Sequence, residues 1–78
     1  MWSNGRIFTT EPKVGFEYWC KHYDVGSEYG IGGGRISKLS IRRLSDGKEV
    51  YNYDRRLDFD NLDGDGKNAY RIILEKYN

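Results

Sequence analysis

The chain has 78 residues, 37% of them hydrophobic and 32% charged, which is enough for one small domain, 1–78, and too short for two. Thirteen basic side chains against twelve acidic ones leave a formal charge of +1, so no global field draws the chain to nucleic acid or to a membrane surface. Cys20 is the single cysteine, which excludes an intramolecular disulfide. No apolar run nears membrane-spanning length, and Arg6, Glu11 and Lys13 interrupt any signal-like stretch, so the expected compartment is a reducing cytoplasm.

Met1 to Thr10 reads as a first strand, with Ile7, Phe8 and two threonines as strand formers and an early turn at Asn4-Gly5. Glu11-Pro12-Lys13 is the first break, because Pro12 lacks a ladder donor. Val14 to Asp24 is the longest strand expected. Val14, Phe16, Tyr18, Cys20 and His22 alternate on one face and read as core; Glu17, Trp19, Lys21 and Tyr23 share the other.

Asp24 to Arg35 then holds five of the ten glycines. Arg35 to Leu44 is a third strand. Leu39 and Ile41 share a face, and Ile36 falls out of phase with them, which places a bulge near Ser37-Lys38 and a twist near Arg42-Arg43. Asp46-Gly47 predicts a type I′ hairpin turn. Glu49 to Asp54 is the fourth strand, with Val50 and Asn52 on one face and Tyr51 and Tyr53 turned inward.

Residues 55–66 read as a polar loop anchored by Leu57, Phe59 and Leu62. A helix follows from about Gly66, capped by Asp65 and apolar along Ala69, Ile72, Ile73 and Tyr77. Arg71 and Glu75 stand at i, i+4 spacing on its polar side. The fold class expected is therefore α+β: a four-stranded antiparallel β-meander with one C-terminal α-helix packed on one face, in the order β-β-β-β-α. The opposite sheet face is left for solvent or for a second subunit.

The glycine segment is the candidate functional motif. Backbone N–H groups of Gly32, Gly33 and Gly34 can face an anion, with Arg35 and Lys38 supplying charge, Tyr29 stacking on a base, and Arg55 approaching from the next hairpin. It lacks the Gly-Lys-Ser/Thr of a phosphate-binding loop and leads into a strand rather than a helix, so it matches no established nucleotide fingerprint. The alternative is a plain connection whose glycines serve the backbone alone. The aspartates at 58–65 fit no calcium-loop register, Cys20 and His22 lack a third metal ligand, and no serine or cysteine has a catalytic setting. No enzyme activity, metal or cofactor is expected.

Two other surfaces compete. Trp19 and Tyr23 form an aromatic face suited to a protein partner. The basic strand 35–43 could take nucleic acid, with Arg42 and Arg43 on phosphates, but a charge of +1 and five aspartates at 54–65 argue against it.

Gly26-Ser27-Glu28-Tyr29-Gly30-Ile31-Gly32-Gly33-Gly34-Arg35-Ile36-Ser37-Lys38-Leu39, with Val50-Tyr51-Asn52-Tyr53-Asp54-Arg55, resembles a family of short uncharacterised proteins of Firmicutes and their phages, over about residues 14–56. The resemblance carries no assigned activity and no catalytic residue. It implies a mobile-element setting, in which a small protein inhibits host defence. Together these readings lead to a non-enzymatic binding protein that sequesters an anionic nucleotide-like signal through its glycine loop. The alternatives are an inhibitor of a host protein and a nucleic-acid binder.

Overall fold

The structure is a computed structural model that describes residues 1–9 and 13–78. Five strands run as an antiparallel meander: β1 (Trp2–Phe8), β2 (Gly15–His22), β3 (Ile36–Arg43), β4 (Glu49–Asp54) and β5 (Leu57–Asp60). One helix, α1 (Gly64–Tyr77), closes one face. The class is α+β with a C-terminal helix, as expected, but the sheet has a fifth strand where a polar loop was expected.

β5 pairs with β4 through Tyr51–Asp60, Asn52–Phe59 and Tyr53–Leu57, with a bulge at Asp58. Asp58 and Asp60 sit on this edge strand, where exposed charge deters pairing with another chain. Leu57 is exposed rather than tucked in; Leu62 does pack on the core.

The core follows the period-two pattern of β2. Phe16, Tyr18 and Cys20 are buried, together with Leu39 and Ile41 of β3, Tyr51 of β4 and Ala69 and Ile73 of α1. Each large apolar side chain enclosed in this way contributes roughly 1.5–3 kcal/mol. The bulge expected near Ser37 is present: Lys21 pairs with Lys38 and His22 with Ile36, skipping Ser37. Ile36 thereby faces inward with Leu39 although the two are three residues apart. A second shift, between Ile41 and Arg42, skips Val50. Val50 and Tyr51 are both buried as a result, so Val50 does not share an outer face with Asn52.

Four local expectations are corrected. β1 does not turn at Asn4-Gly5; Gly5 lies opposite Tyr18, whose ring and hydroxyl occupy the space a side chain there would need. Asp46-Gly47 does not form a type I′ turn, since Gly47 has positive φ and Asp46 does not. The Asp46 carboxylate instead accepts from the Lys48 N–H at 3.0 Å and from Arg43 at 3.0 Å, and the Gly47 N–H closes the loop on the Arg43 carbonyl. The helix cap is Asp63, whose side chain accepts from the Gly66 N–H at 2.8 Å, while Asp65 sits in the first turn, where its charge suits the dipole. Ile72 is 40% exposed; the buried stripe is centred on Ala69 and Ile73, with Tyr70, Leu74 and Tyr77 at its margins. The turn expected at Glu11-Pro12 lies outside the described residues.

Candidate functional site

Residues 23–35 join β2 to β3 and continue the hairpin beyond the sheet. The Tyr23 N–H donates to the Arg35 carbonyl and the Ser27 N–H to that of Gly34, both at 3.1 Å. At the tip, Ile31–Gly33 form one 3-10 turn. Here the glycines have distinct backbone duties. Gly32 and Gly33 take φ of 58° and 76°, a region costly for other residues. A Cβ at Gly30 would overlap the Gly34 carbonyl oxygen, and one at Gly34 would overlap the Asn78 side chain.

Within this turn the Gly33 N–H donates to the Gly30 carbonyl at 3.0 Å and the Gly34 N–H to the Ile31 carbonyl at 2.9 Å. Both donors are thus engaged inside the loop. The end of α1 fastens the same segment: Asn78 Oδ1 accepts from the Ile36 N–H at 2.9 Å, and Asn78 Nδ2 donates to the Ile31 carbonyl at 3.1 Å. The Tyr53 hydroxyl donates to the Tyr29 carbonyl at 2.9 Å. A loop so held is a positioned wall.

That wall borders a cleft of about 320 Å³ lined by Val25, Ser27 and Tyr29 of the loop and by Lys21, Tyr23, Ser37, Lys38 and Arg55. The volume is near the lower end of small-molecule sites, roughly 300–1,000 Å³. Tyr29, Lys38 and Arg55 were expected to act together and do converge here, joined by Tyr23. Gly32, Gly33, Gly34 and Arg35 lie outside the lining. Arg35 is instead near His22, whose pKa it helps to lower.

Lys21 and Ser37 were not singled out from the sequence. Lys21 alternates with Trp19 and Tyr23 on the outer side of β2, a usable signal. Ser37 enters only because of the bulge.

The cleft is electropositive. The Lys21 ammonium lies 5.6 Å from the centre of the Tyr23 ring and 5.8 Å from that of Trp2. Lys21, more than any other neighbour, holds the Tyr23 phenol below its usual 10.0, with Ser37 and Arg55 acting in the same direction. Lys38 meets Asp54 at 3.7 Å, with the carboxylate 59% exposed, an arrangement of small energetic weight. Among the described residues Lys21 and Arg55 make no ion pair within 4 Å.

Arg55 has φ of 63° and donates its N–H to the Ser37 carbonyl at 2.8 Å. The remaining basic strand residues divide. Arg43 pairs with Asp46 and Asp63, whereas Arg42 lies 5.2 Å from the Trp19 ring centre.

Cys20 is fully buried, and burial raises its thiol pKa, the opposite of an activated nucleophile. Among the described residues no group of three His, Cys, Asp or Glu side chains could hold a metal ion, and no helix is long and apolar enough to cross a membrane.

A family model described as "Domain of unknown function (DUF7678)" matches residues 1–78. No curated protein matches the chain, and no solved structure does.

Proposed function

The chain belongs to the DUF7678 family, and we propose that it is a non-enzymatic binding protein for an anionic, nucleotide-like ligand held in the cleft between the glycine loop and β3. The observation that carries this reading is the convergence of Lys21, Lys38 and Arg55 with the rings of Tyr23 and Tyr29 around one cavity. Cations at the rim neutralise phosphate, and Arg55 presents a planar fork for it. The tyrosine rings offer faces for a base, and the Ser27 and Ser37 hydroxyls offer orienting hydrogen bonds. In the phage setting implied by the sequence resemblance, such a cleft would sequester a host signal nucleotide.

Calorimetry against a panel of linear and cyclic nucleotides tests the reading. One member should bind at one site per chain, and Lys38→Ala and Arg55→Ala should each weaken it about tenfold. Arg35→Ala should leave binding in place, because Arg35 is outside the cleft. A panel without a binder, or binding lost with Arg35 and indifferent to Lys38 and Arg55, would refute it.

A further inference from the structure

Beyond the cleft, the face of the sheet opposite α1 carries an ordered set of rings and cations. Trp2 pairs with Lys21 and Asn4 with Trp19, so the two tryptophans are diagonal neighbours on that face. Trp2 is 61% exposed. Both tryptophans line a second cleft of about 160 Å³, and Lys38 belongs to that cleft and to the first. Lys21 stands between the Trp2 and Tyr23 rings, and Arg42 stands over Trp19. Trp19 and Lys21 of β2, and Tyr23 just beyond its end, follow one another on this side at intervals of roughly 6.7 Å.

We propose that this face binds a single strand of nucleic acid, laid from the first cleft across Trp2 and Trp19 towards Arg42. The proposal rests on the nucleotide reading of that cleft and extends it to a polymer. Sequence-tolerant recognition of single strands needs aromatic faces for successive bases and cations along the backbone. Here the two alternate.

A net charge of +1 is no obstacle, because most of the aspartates lie away from this face. Asp58, Asp60, Asp63, Asp65 and Glu75 belong to β5, its connection to the helix, and α1. Three acids share the open face: Glu17 pairs with Arg6 at 3.2 Å, Asp54 pairs with Lys38 at 3.7 Å, and Glu49 accepts from Ser40 and from Asn52. Among the described residues Lys21 and Arg42 make no ion pair within 4 Å and rest on rings instead.

The test is fluorescence anisotropy with labelled twelve-residue oligothymidylate and oligouridylate, beside thymidine and uridine monophosphates, on the full chain. At least one oligomer should bind at least tenfold tighter than its monomer. Three phosphate contacts, from Lys21, Lys38 and Arg42, should weaken binding about 20-fold between 50 and 200 mM salt. Trp19→Ala should weaken oligomer binding about tenfold while leaving monomer binding unchanged, and Arg42→Gln should flatten the salt dependence. Thermal melts of both variants establish that they fold.

If a monophosphate binds and no oligomer binds more tightly, this inference fails and the cleft reading stands. If an oligomer binds through Trp19 while neither these monophosphates nor any member of the linear and cyclic nucleotide panel binds, this inference stands and the cleft reading fails. Heparin bound equally well without dependence on Trp19, or a homodimer that buries Trp19, would overturn the proposal.

Discussion

Arg55 donates its backbone N–H to the carbonyl of Ser37 at 2.8 Å, and this bond joins two irregular positions. Ser37 is the extra residue of the β3 bulge. Arg55 is the one non-glycine residue with positive φ among those described. Left-handed backbone costs such a residue about 1–2 kcal/mol, and strain of this kind clusters at functional positions. Arg55→Gly should therefore raise the melting temperature by about 4–8 °C per kcal/mol relieved and weaken nucleotide binding about tenfold. Melting and calorimetry on the same sample check both halves.

Two glycines, Gly30 of the loop and Gly64 of α1, should respond in opposite ways to an added side chain. Gly30 is enclosed, and a Cβ there meets the Gly34 carbonyl oxygen, whereas a Cβ at Gly64 meets open space. Gly30→Ala should destabilise the fold by about 1–3 kcal/mol through overpacking. Gly64→Ala, within α1, should stabilise it by about 0.4–1 kcal/mol. Urea denaturation of both variants measures the contrast.

Asn78 clamps the loop from the helix end through Ile36 and Ile31. Removing its side chain leaves the N–H of fully buried Ile36 without an acceptor, at a cost of about 1–3 kcal/mol. Asn78→Ala should also speed amide hydrogen exchange at Ile36 selectively, leaving Phe16 and Cys20 to follow global stability. Asn78→Asp keeps the acceptor, loses the donor and should fall between.

Stability should be flat near neutral pH and fall on both sides. Burial raises the phenol pKa of Tyr18 and Tyr51 above 10.0 and the Cys20 thiol above 9.0. Their neutral forms are favoured in the folded chain, so this stability is complete below the unfolded values and declines as pH rises past them, by about 1.4 kcal/mol per pH unit for each group. His22 has the reverse sign. Burial, then the N-terminal ammonium and Arg35, lower its pKa from 6.5, so its contribution is complete above 6.5 and is lost as pH falls through the folded value. Denaturation from pH 4 to 11 traces the profile, and Tyr51→Phe should flatten part of the alkaline fall.

The sequence was most legible where side-chain period and burial coincide. The β2 alternation announced its core face, and the phase slip between Ile36 and Leu39 announced the bulge. Legibility failed where contacts distant in sequence decide. Leu57-Asp58-Phe59-Asp60 looks like loop because aspartate is a poor strand former, yet pairing with β4 makes it an edge. The glycines at 30–34 look alike in sequence, but Gly30 and Gly34 answer to close contacts with the Gly34 carbonyl and Asn78, and Gly32 and Gly33 to positive φ. Tyr29, Lys38 and Arg55 were legible as a set. Lys21 and Ser37 needed the folded register to bring them beside the others.

Ligand binding is proposed for the cleft of Lys21, Tyr23, Tyr29, Lys38 and Arg55. Backbone amide shift mapping tests it most directly, by titrating ¹⁵N-labelled chain with the nucleotide panel. Saturable shifts should concentrate at Lys21, Tyr23, Tyr29, Ser37, Lys38 and Arg55, with the face of α1 unmoved. Shifts centred on Gly32, Gly33 and Gly34 that spare Lys38 and Arg55, or no saturable shift with any nucleotide, would contradict it.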